Sequence, residues 1–272
     1  MSVLRVEGLT KSFRGIAALS DVDLSVTEGT VLGIIGPNGA GKTTFFNVVA
    51  GAFQPDAGTV TLDGRDITGF PAHRVARAGM TRTFQLMRPF ATMSVLENVS
   101  IAASVGGGSQ RAAHKRAEEV VASVGMDEWA DTVAGTLHTA ALKRLELARA
   151  LATRPRVLLL DEVLAGLVPT ERQPVLDLLA SLRDEQGLTL VFVEHIMAAV
   201  MQLSDSVVVF DRGRVIARGA PAEVVDDPAV VEAYLGTAPG GSADSRSEAA
   251  APTPGGGRAA EGAAGREEAS DG

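Results

Sequence analysis

The sequence predicts an α/β protein built around a partly parallel β-sheet, with a block of helices inserted into it. Three observations carry that prediction. Over residues 1–236, short runs rich in Val, Ile and Leu alternate with longer stretches at helical spacing, the pattern of strand–helix units. A glycine-rich segment, G-P-N-G-A-G-K-T at residues 36–43, stands between an apolar run and the start of a helical stretch. Between residues 91 and 153 the strand signal disappears and helical spacing takes over.

Taken in order, residues 4–7, 23–27 and 30–35 read as the first strands because they are short and dominated by branched apolar side chains. A helix is expected over 42–50, then a turn at 54–58, a strand at 59–62 and a hairpin signal at Asp63-Gly64. The central block predicts helices at 95–104, 111–124 and 142–152, an all-helical subdomain over about 91–153. Strands resume at 157–161, 189–193 and 207–210, and 214–217 follows the Arg212-Gly213 turn. A helix over 169–186 joins the first two. The folded domain is expected to be 1–237. Residues 238–272, rich in Ala and Gly without an aromatic or branched aliphatic side chain, are expected to be a disordered tail.

The 272 residues suffice for a sizeable core. Acidic residues outnumber basic ones, 33 to 25, for a net charge of -8, which argues against a protein that coats nucleic acid. The chain has no cysteine, so disulfides, thiolate zinc sites, iron–sulfur clusters and cysteine nucleophiles are excluded. No apolar run approaches the ~20 residues of a membrane-spanning helix, and the first ten residues lack a basic segment followed by an apolar one. A cytoplasmic chain is expected, free to dock on a membrane protein.

The segment 36–43 fills every position of G-x-x-x-x-G-K-[ST], follows a strand and opens a helix. Gly36, Pro37, Asn38, Gly39, Ala40, Gly41, Lys42, Thr43 and Thr44 are therefore candidate phosphate-binding residues. The glycines let the backbone turn tightly, so that successive N–H groups converge on phosphate oxygens beside the positive end of the helix. Lys42 supplies a mobile charge for the β- and γ-phosphates, and the Thr43 hydroxyl is a hard oxygen ligand for Mg²⁺. A second buried run, V-L-L-L-D-E at 157–162, ends in adjacent carboxylates. Asp161 is assigned to the Mg²⁺, through water, and Glu162 to polarising the attacking water as catalytic base.

With these two motifs in place, residues 1–236 resemble the ATP-binding subunits of ABC transporters. The resemblance implies a P-loop NTPase core with an N-terminal antiparallel β subdomain and an inserted α-helical subdomain. It further implies roles for other residues. T-R-T-F-Q at 81–85 is similar to the Q-loop, whose Gln85 would sense the metal and the γ-phosphate. His195, in V-F-V-E-H, is placed like the switch histidine that contacts the γ-phosphate. A-G-L at 165–167 resembles the D-loop, which reaches across a dimer, and Phe13 is placed like the aromatic that stacks on adenine. The apolar stretch 87–90 lies where such subunits meet a membrane subunit. Segments 79–99, 144–155 and 232–236 are similar to the ATPases of branched-chain amino acid importers. ATP and Mg²⁺ would then be the ligands, integral membrane permeases the direct partners, and a solute-binding protein an indirect one. The chain would sit on the inner face of the membrane through the permeases.

Two positions depart from the family pattern. Where a signature close to L-S-G-G-Q is expected, the chain has Leu137-His138-Thr139-Ala140-Ala141, so His138 replaces the serine that binds the opposite subunit's γ-phosphate. Val163 stands where proline usually follows the acid pair. Each ATP in such a dimer lies between one chain's phosphate loop and the other chain's signature. A heterodimer with a second ATPase subunit is therefore expected over a homodimer. The alternative is a regulatory ATP-binding module with little turnover. A soluble ABC-type ATPase acting on DNA or the ribosome fits less well, given the acidic balance and the lack of a long coiled-coil insertion.

Overall fold

The computed structural model describes residues 1–83 and 89–235. Strands β1 (Ser2–Phe13) and β2 (Ile16–Thr27) form a long antiparallel hairpin. The buried strand β3 (Val31–Ile35) leads through the glycine-rich loop into α1 (Lys42–Val49). Next come β4 (Ala57–Leu62), β5 (Arg65–Asp66), α2 (Ala72–Ala78) and β6 (Met80–Arg82). Three helices follow: α3 (Val95–Ala103), α4 (Gln110–Ser123) and α5 (Thr139–Ala152). The chain then returns to the sheet through β7 (Val157–Asp161), α6 (Pro169–Gln186), β8 (Thr189–Val193), α7 (Met197–Leu203), β9 (Ser206–Asp211) and β10 (Arg214–Gly219). Two short helices, α8 (Pro221–Val225) and α9 (Pro228–Leu235), close the described chain.

The strands form two sheets. One is four-stranded and antiparallel in the order β2-β1-β4-β5; the other is six-stranded in the order β10-β9-β3-β8-β7-β6. The second is parallel except for its edge strand β10, as the alternation of strands and helices requires. Side chains on a strand point alternately to opposite faces, and both faces of this sheet are covered. Val31 and Ile35, Leu158 and Leu160, and Leu190 and Phe192 join the core that includes α3 to α6. Their neighbours Leu32 and Ile34, Val157 and Leu159, and Val191 and Val193 join the core beneath the antiparallel sheet and α1. Continuous apolar runs are what such doubly covered strands need, and those runs made β3, β7 and β8 readable.

Within β3, Gly33 leaves the room that its neighbours fill. A Cβ there would lie 2.6 Å from Ser204 Oγ and 3.3 Å from Val200 Cγ1. The α/β class, the antiparallel sheet and the mixed sheet agree with expectation, while several element limits differ. The first hairpin is far longer than segments 4–7 and 23–27, because register shifts along β1 and β2 break the alternation that marks a strand. Helix α5 starts at Thr139, three residues before the expected start. Strand β6 was not expected: it is three residues long, with partly buried Thr81 and Arg82, and exists through pairing with β7. Helix α3 begins at a capping box in which Ser94 Oγ accepts from the Glu97 amide and the Glu97 carboxylate accepts from the Ser94 amide.

Candidate functional site

The glycine-rich loop is shaped by the strand it leaves and the helix it enters. Gly36 has φ 144° and sits so close to Phe210 on β9 that a Cβ would overlap its carbonyl oxygen. Gly41, at φ 104°, takes the position before α1 with a left-handed backbone, and a Cβ there would lie 2.6 Å from the Ala18 carbonyl oxygen. Both demands are met by glycine alone. The result is a cleft of about 190 Å³ lined by Ala18, by residues 38–44 and by Glu162. Glu162, the second of the two adjacent acids, thus faces the phosphate loop across the cleft.

Lys42 is folded back over the loop, donating from Nζ to the carbonyl oxygens of Gly36 at 2.6 Å and Pro37 at 2.9 Å. Burial holds its pKa below the ordinary lysine range, and the carboxylates of Glu162 and Asp161 oppose that shift. Thr43, in the first turn of α1, is exposed, so its hydroxyl is accessible from the cleft. Asp161 ends β7 almost fully buried and pairs at 2.5 Å with Arg82 of β6. Arg82 also donates to Asn47 Oδ1 of α1 at 2.6 Å. One guanidinium therefore ties the helix behind the phosphate loop to the strand carrying the carboxylates.

Glu162 follows with φ 49°, a left-handed backbone rare for a residue with a side chain. Its amide donates to the Val193 carbonyl at the end of β8, 3.0 Å away. Its own carbonyl accepts from Lys143 Nζ of α5 at 3.2 Å. Two residues on, the Leu164 amide donates to Glu194 Oε1 at 2.9 Å. The turn bearing Glu162 is thus held from both β8 and α5. His195 lies beyond Glu194 with its side chain 64% exposed, and its Nδ1 is 4.0 Å from Glu194 Oε2. Phe13 is exposed at the end of the first hairpin, edge-on to Phe53 with ring centroids 5.3 Å apart and the Lys11 ammonium 5.5 Å from its own ring centre. Neither Phe13 nor His195 lines the cleft itself. Gln85 and the expected contact residues Met87 and Arg88 lie outside the described residues, as does the tail 238–272.

Comparison with known proteins decides the family. The sequence profile described as "ABC transporter" matches residues 19–165, and one described as "Branched-chain amino acid ATP-binding cassette transporter" matches 214–239. The chain belongs to the ABC transporter family. It is 42% identical over 251 residues to the high-affinity branched-chain amino acid transport ATP-binding protein BraF of Pseudomonas aeruginosa, covering 87% of this chain and 98% of that protein. It is 37% identical, with the same coverage, to the protein LivG of Escherichia coli, which carries the same description. Among solved structures, the ADP conformation of an ATP-binding cassette of an ABC transporter superposes with a TM-score of 0.79 at 32% identity, over 87% of this chain and 99% of that one.

In the segment 137–141, expected to hold the signature, His138 stands immediately before the first turn of α5 and makes no capping hydrogen bond through its side chain. Its ring meets Trp129 edge-on, with centroids 5.6 Å apart. His138 and Thr139 are exposed at this helix start, whereas Ala141 is buried. Val163 is buried in the larger core, so the residue that replaces the usual proline serves packing. In the D-loop segment, Gly166 has φ 76° with open space beside it, and Leu167 is buried. Sequence reasoning missed Arg82, Lys143 and Glu194. For the first two no local signal exists, because their partners are distant in sequence. Glu194 was legible as an anomaly, a carboxylate closing the apolar run V-F-V that is otherwise fully buried.

Proposed function

We propose that this chain is the ATP-binding and ATP-hydrolysing subunit of an ABC importer of the branched-chain amino acid type. The observation that carries this reading is the cleft in which Glu162 faces Lys42, Thr43 and the loop amides. The solute class rests on the description of the relatives and on the family match at 214–239. The loop residues 36–44 and Lys42 hold the phosphates, and the Phe13 ring stacks on adenine. Thr43 and Asp161 offer two hard oxygen donors of the kind Mg²⁺ takes, and Gln85 adds a third. Among the described residues no group of three or more His, Cys, Asp or Glu side chains could hold a metal. Held by these residues, Mg²⁺ would supply positive charge to offset that developing on the β- and γ-phosphates.

Glu162 accepts a proton from the attacking water as oxygen bonds to the γ-phosphorus. The bridging P–O bond breaks, and ADP leaves with that electron pair. His195 contacts the γ-phosphate. A second ATPase subunit supplies a signature to this site, and a heterodimer is favoured because residues 137–141 depart from the family pattern. Among the described residues no helix is long and apolar enough to cross a membrane. Attachment to the inner face runs through permease subunits, which also receive solute from a binding protein. The domain spans 1–237, with 91–153 as its helical subdomain.

The test is a pair of variants. Lys42→Ala is expected to weaken Mg-ATP binding by at least tenfold, whereas Glu162→Gln keeps binding and loses ~10²–10⁴-fold in turnover. Unchanged turnover in Glu162→Gln supports the regulatory module instead. Unchanged affinity in a folded Lys42→Ala removes the nucleotide site altogether.

A further inference from the structure

Glu194 is a buried carboxylate with one oxygen engaged and the other idle. Its side chain is 0% exposed. Oε1 accepts from the Leu164 amide at 2.9 Å, while Oε2 has no hydrogen-bond partner. An unsatisfied buried carboxylate oxygen is costly, and such groups persist where a role compensates for the cost. Close to Oε2 is the imidazole of the next residue, His195, with Nδ1 4.0 Å away. That gap is about 1 Å too long for a hydrogen bond, and the exposed ring is free to close it. Resting on the assignment of Glu162 and His195 above, we propose that Glu194 is a positioning residue for ATP hydrolysis. Through Oε1 it fixes the turn that carries Glu162, and through Oε2 it orients the His195 ring by its Nδ1.

The two interactions act on two of the groups assigned above to the γ-phosphate, Glu162 and His195. Glu162 sits in a left-handed conformation that does not maintain itself, and the amide two residues later is clamped by Glu194. A histidine that donates to a phosphate oxygen through Nε2 and to a carboxylate through Nδ1 carries both protons, and Glu194 supplies the countercharge. Burial raises the Glu194 carboxyl above its ordinary range, so a donor brought to Oε2 also relieves an unfavourable buried charge. Lys143 from α5, which donates to the Glu162 carbonyl, is also attracted by the Glu194 carboxylate.

Glu194→Gln separates this role from simple packing. The amide keeps the shape and the oxygen that accepts from Leu164, and it loses the charge that orients His195. Steady-state ATPase activity of the full chain, assembled with its membrane partners, is compared for wild type, Glu194→Gln, His195→Ala and the double variant. Glu194→Gln is expected to lower kcat by roughly tenfold with KM for ATP within about twofold, and to add almost nothing in the His195→Ala background. A wild-type kcat in Glu194→Gln overturns the proposal, as does an equal fold-loss in both backgrounds. Loss of activity in Glu162→Gln, measured alongside, shows that the hydrolytic reading stands whichever way the cycle falls.

Discussion

Two carboxylates near one turn of the fold, Glu162 and Glu194, are held in opposite ways. Glu162 is open to the cleft but held in a backbone conformation that costs about 1–3 kcal/mol for a residue with a side chain. Glu194 is relaxed in backbone but buried. Burial raises the Glu194 pKa first of all, and Glu162 adds to the rise, while the Leu164 amide and His195 oppose it. Lys143 faces it from α5. The folded chain therefore holds this proton more tightly than the unfolded chain does. Stability from that preference is full below the unfolded carboxyl pKa of about 4.3 and is lost as pH rises through the folded value. Glu194→Gln abolishes the titration, so its stability relative to wild type is expected to increase on going from about pH 4 to about pH 8. Urea unfolding of both proteins across that range checks the sign; a constant difference means that Glu194 does not titrate differently on folding.

At the scale of elements, β3, β7 and β8 were legible because strands covered on both faces must be apolar throughout, and the residues that end them bear the chemistry. The glycine-rich loop was legible for a related reason, since Gly36 and Gly41 occupy places where a side chain would overlap backbone atoms. The hairpin of β1 and β2 was only partly legible: bulges shift the period and leave no clean alternation over its twelve-residue strands. The bond between Arg82 and Asp161 joins residues 79 apart in sequence, and nothing local announces it. A buried pair of this kind stabilises little over an apolar substitute, yet removing one partner strands the other charge. Gly33 is the element-scale test. Gly33→Ala places a methyl group 2.6 Å from Ser204 Oγ, and the overpacking is expected to cost about 1–3 kcal/mol, read as a lowered urea midpoint with an unchanged slope.

For the molecule as a whole, the six-stranded sheet is shared between two cores, and the candidate site is assembled at the ends of its parallel strands. That is where strands β3, β7 and β8 deliver the phosphate loop, Glu162 and His195. Residues 137–141, at the start of α5, are not among those lining this cleft. The proposed pairing with a second, different subunit rests on the departure of residues 137–141 from the family pattern. Mixing this chain in equal amounts with a second ATPase subunit of the same transporter is expected to give faster ATP hydrolysis than either chain alone. Additive rates in the mixture would speak for two independent homodimers.

Gly33 has a bearing on the site that reaches past its own neighbourhood. Both linings of the shared sheet are greasy, so hydrophobicity by itself would tolerate β3 sliding one step along its partners, an error that hydrophilic faces forbid in other sheets. Such a slide would bring a branched side chain into the notch beside Ser204 and Val200, where only a hydrogen atom fits. The notch works as a keyway. Because the loop begins where β3 stops, a misplaced strand would carry its amides about 3.3 Å away from their station opposite Glu162, farther than a hydrogen bond can stretch. A residue with no functional group thereby sets the position at which a triphosphate can be gripped.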